Sequence, residues 1–321
     1  MTAGVALALG CSGGAPVTFA TGDAGADAVS RVDGGDGGLS FDVRVDALPT
    51  DAPDAAQRFT ACDKVDILFV IDDSGSMADN QRSLVASFDG FMRGVRARLA
   101  SVQSYHIGVV TSDDYYANAQ GCGAIGSLVT RTGGPASSMM DCAPFAGGAR
   151  YLTEAEPDLA AKFRCMGQLG SGGDDNERMA RSMLNAVSPR YNAAGACNAG
   201  FARRDSLLVL VLITDEDDVD EPCMTPGCIG NLGSGGAADD WVRELSGYRE
   251  GLTQNVVVLS LLGRRLDNAC GAQVASRLIG FTNRFGRNGF IGDICASSYD
   301  SFFDATLSVI EGACRNYVAP P

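Results

Sequence analysis

The sequence predicts an α/β fold, a doubly wound and mostly parallel sheet flanked by helices, and three observations support this. Apolar runs typical of strands alternate with segments whose apolar residues recur at helical spacing. The longest apolar run beyond the start of the chain, LLVLVLI at 207–213, fits a sheet strand and is far too short to span a membrane. With 321 residues, 45% of them hydrophobic, the chain is long enough for one large α/β domain and a tail.

The elements follow from these patterns in chain order. Val65–Ile71 is a buried strand, and a helix follows from about Ala78 because apolar residues recur at helical spacing up to Leu99. Residues 106–111 form a second strand. A long Gly- and Ser-rich excursion then covers 112–150, in which SLVTRT and ARYLT could pair as a short hairpin. The remaining predictions are helices at 154–166, 177–187, 237–249, 272–284 and 301–317, and strands at 207–213, 255–263 and 289–291.

The composition excludes several classes of function. The net charge is −14, from 39 acidic and 25 basic residues, so we expect no nucleic-acid partner and no charge-driven attraction to membranes. His106 is the one histidine, which excludes any zinc site with two histidines. The sequence contains no P-loop and no G-x-S-x-G motif.

The start of the chain predicts export. Residues 1–11, MTAGVALALGC, resemble the end of a bacterial lipoprotein signal, which implies acylation of Cys11 and a membrane contact only through that lipid anchor. An ordinary cleaved signal is the alternative. Ser12 favours the outer membrane by resemblance to the enterobacterial sorting rule, within a cell-envelope or periplasmic location. Residues 12–60 are rich in Gly, Ala and Asp and predict a flexible acidic linker before a domain at 61–319.

The cysteines support the same location. Eleven occur, and removal of Cys11 leaves an even number that fits disulfides in an oxidising compartment. Proximity along the chain suggests a bridge from Cys122 to Cys142 across the excursion, and one from Cys223 to Cys228. Cys62 lies at the start of the domain and Cys314 in the last helix.

Two predicted strands end in polar clusters. The first is followed by Asp72-Asp73-Ser74-Gly75-Ser76, and the strand at 207–213 is followed by TDEDD at 214–218. If both strands are central and parallel, these ends converge at one edge of the sheet, where ligands of open α/β sheets bind. Carboxylate and hydroxyl oxygens are hard ligands that suit magnesium, manganese or calcium.

The motif Asp72-x-Ser74-x-Ser76, between a buried strand and an amphipathic helix, resembles the metal-ion-dependent adhesion site of von Willebrand factor type A domains. The order of predicted strands and helices over about 61–319 is similar to that family. The family adds an aspartate after the fourth strand, which makes Asp215 the candidate. It also adds a threonine from a second loop, for which Ser171 in LGSGGDDNE is the candidate.

The resemblance implies a binding protein and no enzyme. A divalent cation, most often magnesium, would be held by Asp72, Ser74, Ser76, Ser171 and Asp215, and would accept a carboxylate from a protein partner. Thr111 or Asp174 are the alternatives to Ser171. The resemblance leaves Asp73, Glu216, Asp217 and Asp218 around the site or on the surface.

Two other functions fit parts of the pattern. A magnesium-dependent phosphohydrolase of the haloacid dehalogenase type also begins with a strand that ends in aspartate. It needs an acid two residues later, where this chain has Ser74. It also needs a basic residue, usually lysine, after the threonine strand; both lysines precede Thr214, so an arginine such as Arg243 would have to substitute. The other alternative is a structural envelope lipoprotein with a vestigial site.

Overall fold

The computed structural model describes residues 62–98, 102–174, 176–219, 221–222 and 231–321. These residues belong to one compact unit, Ala55–Pro321. The predicted signal at 1–11, with Cys11, and the predicted linker at 12–60 lie outside the described residues.

A six-stranded sheet forms the centre of this unit and confirms the predicted α/β class. Its strand order is β3-β2-β1-β4-β7-β8, and every neighbouring pair is parallel except β2 with β3. A separate antiparallel pair joins β5 to β6. The strands are β1 (Lys64–Ile71), β2 (Ser104–Thr111), β3 (Leu152–Thr153), β4 (Leu207–Ile213), β5 (Glu221–Pro222), β6 (Asn231–Leu232), β7 (Val256–Leu262) and β8 (Gly289–Asp293).

Helices cover both faces of the sheet. Alternate residues of β1 point to opposite sides, so that Phe69 packs in one hydrophobic cluster and Val70 in the other. The cluster around Phe69 includes residues of α1, α2 and α7, and the cluster around Val70 includes residues of α3, α5 and α6. The helices are α1 (Ala78–Arg98), α2 (Leu159–Gly167), α3 (Met179–Val187), α4 (Pro189–Asn192), α5 (Ala238–Tyr248), α6 (Ser276–Asn283) and α7 (Asp300–Arg315).

The direction in which the chain adds strands reverses between β1 and β4. The chain proceeds from β1 to β2 and β3 on one side, and then from β4 to β7 and β8 on the other. The loops that follow β1 and β4 therefore start side by side at the carboxyl edge of the sheet, and the chain then continues to opposite sides of it. In open α/β sheets this reversal point is where ligands bind.

Two local predictions were wrong. The predicted hairpin does not form, because Leu152 and Thr153 pair antiparallel with β2 instead of with 127–132. The helix predicted from residue 154 begins at Leu159, where the Asp158 side chain caps it by accepting a hydrogen bond from the Ala161 N–H at 3.1 Å.

Four disulfides tie the described residues together, and this is typical of exported proteins. The predicted Cys122–Cys142 bridge is wrong, since Cys122 pairs with Cys197 and Cys142 with Cys165. The excursion is therefore fastened to the rest of the domain instead of to itself. The other two bridges are Cys62–Cys314 and Cys270–Cys295. Cys223 and Cys228 lie outside the described residues.

Within the described part of the chain, every helix is too short or too polar to cross a lipid bilayer.

Candidate metal centre

The loops after β1 and β4 meet at the reversal point of the sheet. The backbone N–H of Asp72 donates to the carbonyl of Ile213 at 3.0 Å, which continues the β1–β4 ladder by one residue beyond the strands. Asp72 is fully buried and Asp215 is 8% exposed. The convergence of these two loops follows from the parallel pairing of two central strands.

Hydrogen bonds join four of the five predicted ligands. Asp72 Oδ1 accepts the backbone N–H of Ser74 at 2.7 Å, which curls the loop back over its own first residue. The hydroxyl oxygens of Ser74 and Ser76 lie 3.3 Å apart, and Ser76 Oγ donates to Asp215 Oδ1 at 3.0 Å. The structure therefore places two carboxylates and two hydroxyls within one connected group.

Thr214 is a further member of this group, in addition to the residues predicted from the sequence. Its hydroxyl donates to Asp72 Oδ2 at 2.7 Å, and it accepts the backbone N–H of Glu216 at 3.0 Å. Thr214 thus fixes the Asp72 carboxylate and shapes the loop that carries Asp215. Its place as the first polar residue after a buried strand was the available signal.

The structure does not join Ser171 to the group. Its hydroxyl donates to the carbonyl of Pro135 at 3.5 Å, and its backbone N–H donates to the same oxygen at 2.8 Å. The loop is held by Gln81 on α1, which donates to the carbonyls of Asp72 and Gly170 and accepts the N–H of Gly170 at 2.9 Å. Gln81 lies three residues before Leu84 and therefore on the apolar side of α1. A polar residue at such a position was a sequence signal that its side chain makes a buried hydrogen bond.

Neither alternative to Ser171 joins the group. The hydroxyl of Thr111 donates to the carbonyl of Asp113 at 3.0 Å. Asp174 is exposed and its carboxylate accepts hydrogen bonds from Asn176.

Glu177 is the residue that the segment before α3 brings towards Asp72. It is 1% exposed, and its two carboxylate oxygens have no hydrogen-bond partner among the described residues. Burial raises the pKa of Glu177 well above its usual range, and the nearby negative charges of Asp72 and Asp73 raise it further. Glu177 precedes the first residue of α3 and lies three residues before the buried Ala180, a spacing that extends the apolar side of α3 and that was the available sequence signal.

Buried carboxylates crowd this edge of the sheet. Burial raises the pKa of Asp72 to about 6, against the lowering effect of its bonds from Ser74 and Thr214. Burial raises the pKa of Asp73 to about 8, and the neighbouring carboxylates of Asp113 and Asp72 contribute to the shift. The edge therefore carries more acidic side chains than its surroundings neutralise.

The last two residues of the acidic run, Asp217 and Asp218, stabilise the fold. Asp217 Oδ2 accepts the N–H of Arg277 at 3.0 Å at the start of α6. Asp218 is fully buried, and its carboxylate accepts the N–H of Ala180 at 2.8 Å and the N–H of Ser234 at 2.7 Å. These two carboxylates satisfy backbone donors of helix starts and loops, so they are structural.

The residues present fit a divalent cation. Carboxylate and hydroxyl oxygens form a hard donor set, and Glu177 adds two buried oxygens without a hydrogen-bond donor. Among the described residues no three carboxylate, histidine or cysteine side chains form a metal-binding group by themselves. A cation here would therefore depend on Ser74 and Ser76 as well as on the carboxylates.

Comparison with known proteins gives the following. No protein-family model matches the chain, and no curated protein matches it. Proximal thread matrix protein 1 from the mussel byssus is 13% identical with a TM-score of 0.40, over 78% of this chain and 49% of that one. A pilus adhesin from Lactobacillus rhamnosus GG, in an open conformation, is 13% identical with a TM-score of 0.38, over 80% of this chain and 30% of that one. The chain thus spans about half of the first protein and under a third of the second.

Proposed function

We propose that this chain is an exported, lipid-anchored protein of the von Willebrand factor A type that binds a divalent cation, magnesium before manganese or calcium. Asp72, Ser74, Ser76 and Asp215 hold the cation, and through it the protein binds a carboxylate of a protein partner. Glu177 takes the fifth position in place of Ser171.

One observation carries the proposal: the hydrogen-bonded connection from Asp72 through Ser74 and Ser76 to Asp215, across the reversal point of the sheet. A helix cap alone would account for the loop after β1, because Ser and Asp are common before helices. It would not account for the hydrogen bond from Ser76 to Asp215, which links the loop before α1 to the loop after β4.

The donor set explains why the site suits binding. Ser74 and Ser76 contribute neutral oxygens, so a bound cation retains positive charge with which it attracts an anionic group of a partner. The protein's own residues orient the site: Thr214 fixes the Asp72 carboxylate, and Gln81 fixes the loop at Gly170.

The phosphohydrolase alternative gains no support from the side chains. The residue two positions after Asp72 is Ser74, whose hydroxyl lies beside Ser76 and supplies no carboxyl acid. The two lysines are engaged elsewhere: Lys64 pairs with Asp205, and Lys162 donates to the carbonyls of Cys142 and Pro144.

Isothermal titration of Mg²⁺, Mn²⁺ and Ca²⁺ into the oxidised full chain tests the proposal. We expect saturable binding of one cation that Asp72→Ala and Ser74→Ala both abolish. Ser171→Ala is the matched hydroxyl control and Asp304→Ala, on the exposed side of α7, is the matched carboxylate control. Both controls should bind like the wild type.

The titration also decides between the alternatives. A folded wild type that binds no cation would replace the proposal with a structural envelope protein whose site is vestigial. If Ser171→Ala weakened binding as strongly as Ser74→Ala, the assignment of Glu177 would be wrong although the cation site would stand.

The lipid anchor has its own test. Metabolic labelling with an alkynyl fatty acid should mark the wild-type chain and leave Cys11→Ser unlabelled. Equal labelling of both would contradict acylation at Cys11.

A further inference from the structure

A cavity of about 430 Å³ lies beside the candidate metal centre, at the carboxyl end of β2. It is bounded by the segment after β2 at 113–117, the turn at 133–135 and the loop at 172–174. Asp73 lines it, but the connected group of Asp72, Ser74, Ser76 and Asp215 does not. The cavity is therefore a separate feature with a different set of side chains.

The lining of this cavity is strongly acidic. Asp73, Asp113, Asp114 and Asp174 line it together with a single basic residue, Arg178. Arg178 Nη2 lies 3.4 Å from Asp114 Oδ2, and its charge also acts on the carboxylate of Asp113. Four acids against this one cation favour a cationic ligand.

Asp113 gives independent support for a ligand in this cavity, because one of its buried carboxylate oxygens has no N–H or hydroxyl donor in the described part of the chain. It is 5% exposed although it lines the cavity. Its Oδ2 accepts the N–H of Asp174 at 2.7 Å, whereas its Oδ1 receives no N–H or hydroxyl donor among the described residues and faces the carboxyl group of Asp73. A buried carboxylate oxygen without a donor costs free energy, and a cationic N–H donor in the cavity would remove that cost.

Glycines and one exposed aromatic ring form the walls of this cavity. A Cβ atom at Gly173 would lie 2.8 Å from Asp73 Cγ, so this position needs glycine for the loop to pass the carboxyl group. Gly134 has φ +91°, a backbone conformation that glycine adopts without strain. The aromatic ring of Tyr116, 89% exposed, also lines the cavity. Exposed tyrosine rings bind guanidinium and ammonium groups by cation–π attraction.

We propose that this cavity binds the guanidinium or ammonium group of an arginine or lysine side chain presented by a protein partner. A divalent ion, which needs oxygens at about 2.0–2.6 Å around one point, would occupy only a small part of this space. An alkyl chain with a cationic end fits both the acidic floor and the aromatic rim. The inference stands apart from the proposed metal centre, since it uses a different set of side chains.

The test is a titration of N-acetyl-arginine methylamide into the full chain in EDTA, which removes divalent cations from both sites. The neutral isostere N-acetyl-citrulline methylamide is the ligand control, and agmatine represents a free cationic metabolite. We expect saturable binding of the arginine derivative and at least tenfold weaker binding of the citrulline derivative, because charge-assisted hydrogen bonds to a carboxylate are lost.

Two variants locate the binding. Asp113→Asn retains an acceptor for the Asp174 N–H and should weaken binding about tenfold. Tyr116→Ala removes an exposed side chain and should weaken it about threefold, the size expected of an exposed cation–π contact. Asp304→Asn should leave binding unchanged.

Equal binding of the arginine and citrulline derivatives would overturn the proposal, as would binding that neither variant weakens. Binding of agmatine without binding of the arginine derivative would identify a free amine as the ligand and also overturn it. Should Asp113→Asn fail to fold, Tyr116→Ala decides. Because the titration contains EDTA, its result is independent of whether the metal centre exists.

Discussion

Strand β1 carries a fully buried aspartate near its start and another directly after its end, and the two have opposite surroundings. The carboxylate of Asp66, near the start, accepts hydrogen bonds from the Arg203 guanidinium at 2.8 Å, the Arg203 backbone N–H at 2.7 Å and the Ser206 hydroxyl at 2.6 Å. Asp72, after the end, receives only neutral donors, from Ser74 and Thr214. No ion pair among the described residues includes Asp72.

The difference separates a structural carboxylate from a candidate binding one. A buried charge that is paired and fully hydrogen-bonded completes the fold by itself. A buried carboxylate whose neighbours are further acids, as Asp72 is beside Asp73 and Glu177, would be stabilised by a cation from outside the chain, which is the proposed role of the metal ion.

Removal of the guanidinium group that pairs with Asp66, near the start of β1, should be the most damaging change. Arg203→Ala leaves the buried Asp66 charge without its partner and should lower the free energy of unfolding by about 3–5 kcal/mol. Denaturant unfolding of the oxidised protein measures it. The neighbouring Arg204→Ala is the control, since Arg204 is exposed and should contribute less than about 1 kcal/mol. Equal effects of the two substitutions would contradict the contrast.

The disulfide near the start of β1 should stabilise the fold without affecting the site. Replacing Cys62 and Cys314 with serine removes a link between residues 252 apart and should cost about 2–4 kcal/mol. Replacing Cys270 and Cys295, which are 25 residues apart, should cost about 2 kcal/mol less, because the loop is shorter. Cation affinity of the folded Cys62/Cys314 variant should equal that of the wild type, and a loss would contradict the separation of the two ends.

The carboxyl groups that follow β1 should make the free energy of unfolding depend on pH. The folded pKa values of Asp72 and Asp73, about 6 and about 8, lie above the ordinary value of 3.8. The folded state therefore holds protons that the unfolded state has lost, and the free energy of unfolding should fall as pH rises from about 4 to about 8. We expect a total fall of several kcal/mol, smaller than the roughly 8 kcal/mol that the two shifts would give if the carboxyl groups ionised independently.

Thermal and chemical unfolding in EDTA across this pH range measure the fall. Asp73→Asn should flatten it, and Asp304→Asn, an exposed control, should not. Stability that rises with pH over the same range would contradict the prediction.

The smallest expected effect is a gain in the free energy of unfolding. Glu177→Gln removes a buried acid without a hydrogen-bond partner and should raise the free energy of unfolding in EDTA by about 1 kcal/mol. The same variant should bind Mg²⁺ more weakly than the wild type. Glu311→Gln, on α7, is the control and should change neither quantity. A destabilised Glu177→Gln that binds Mg²⁺ normally would show that Glu177 is structural.

The sequence predicted the sheet and most of the candidate site for one physical reason. Apolar runs determine which strands are central, and parallel pairing then brings the residues after β1 and β4 together, which is how Asp72 and Asp215 meet. The hydroxyls of Ser74 and Ser76 follow because they lie in the same short loop.

What the sequence did not predict depends on contacts between distant loops. Ser171 lies on the loop that Gln81 fixes at Gly170, and its backbone is drawn to Pro135, a residue of the excursion. The partner of Cys122 is 75 residues away because the excursion packs against the segment after α4. Local spacing contains no information about either contact.

An anomalous difference map from crystals of the oxidised protein soaked in Mn²⁺ would locate a bound cation. We expect a peak between the Ser74 and Ser76 hydroxyls and the Asp215 carboxylate, which disappears in Ser74→Ala. A map with no peak there, or with a peak only among other carboxylates, would contradict the proposed metal centre.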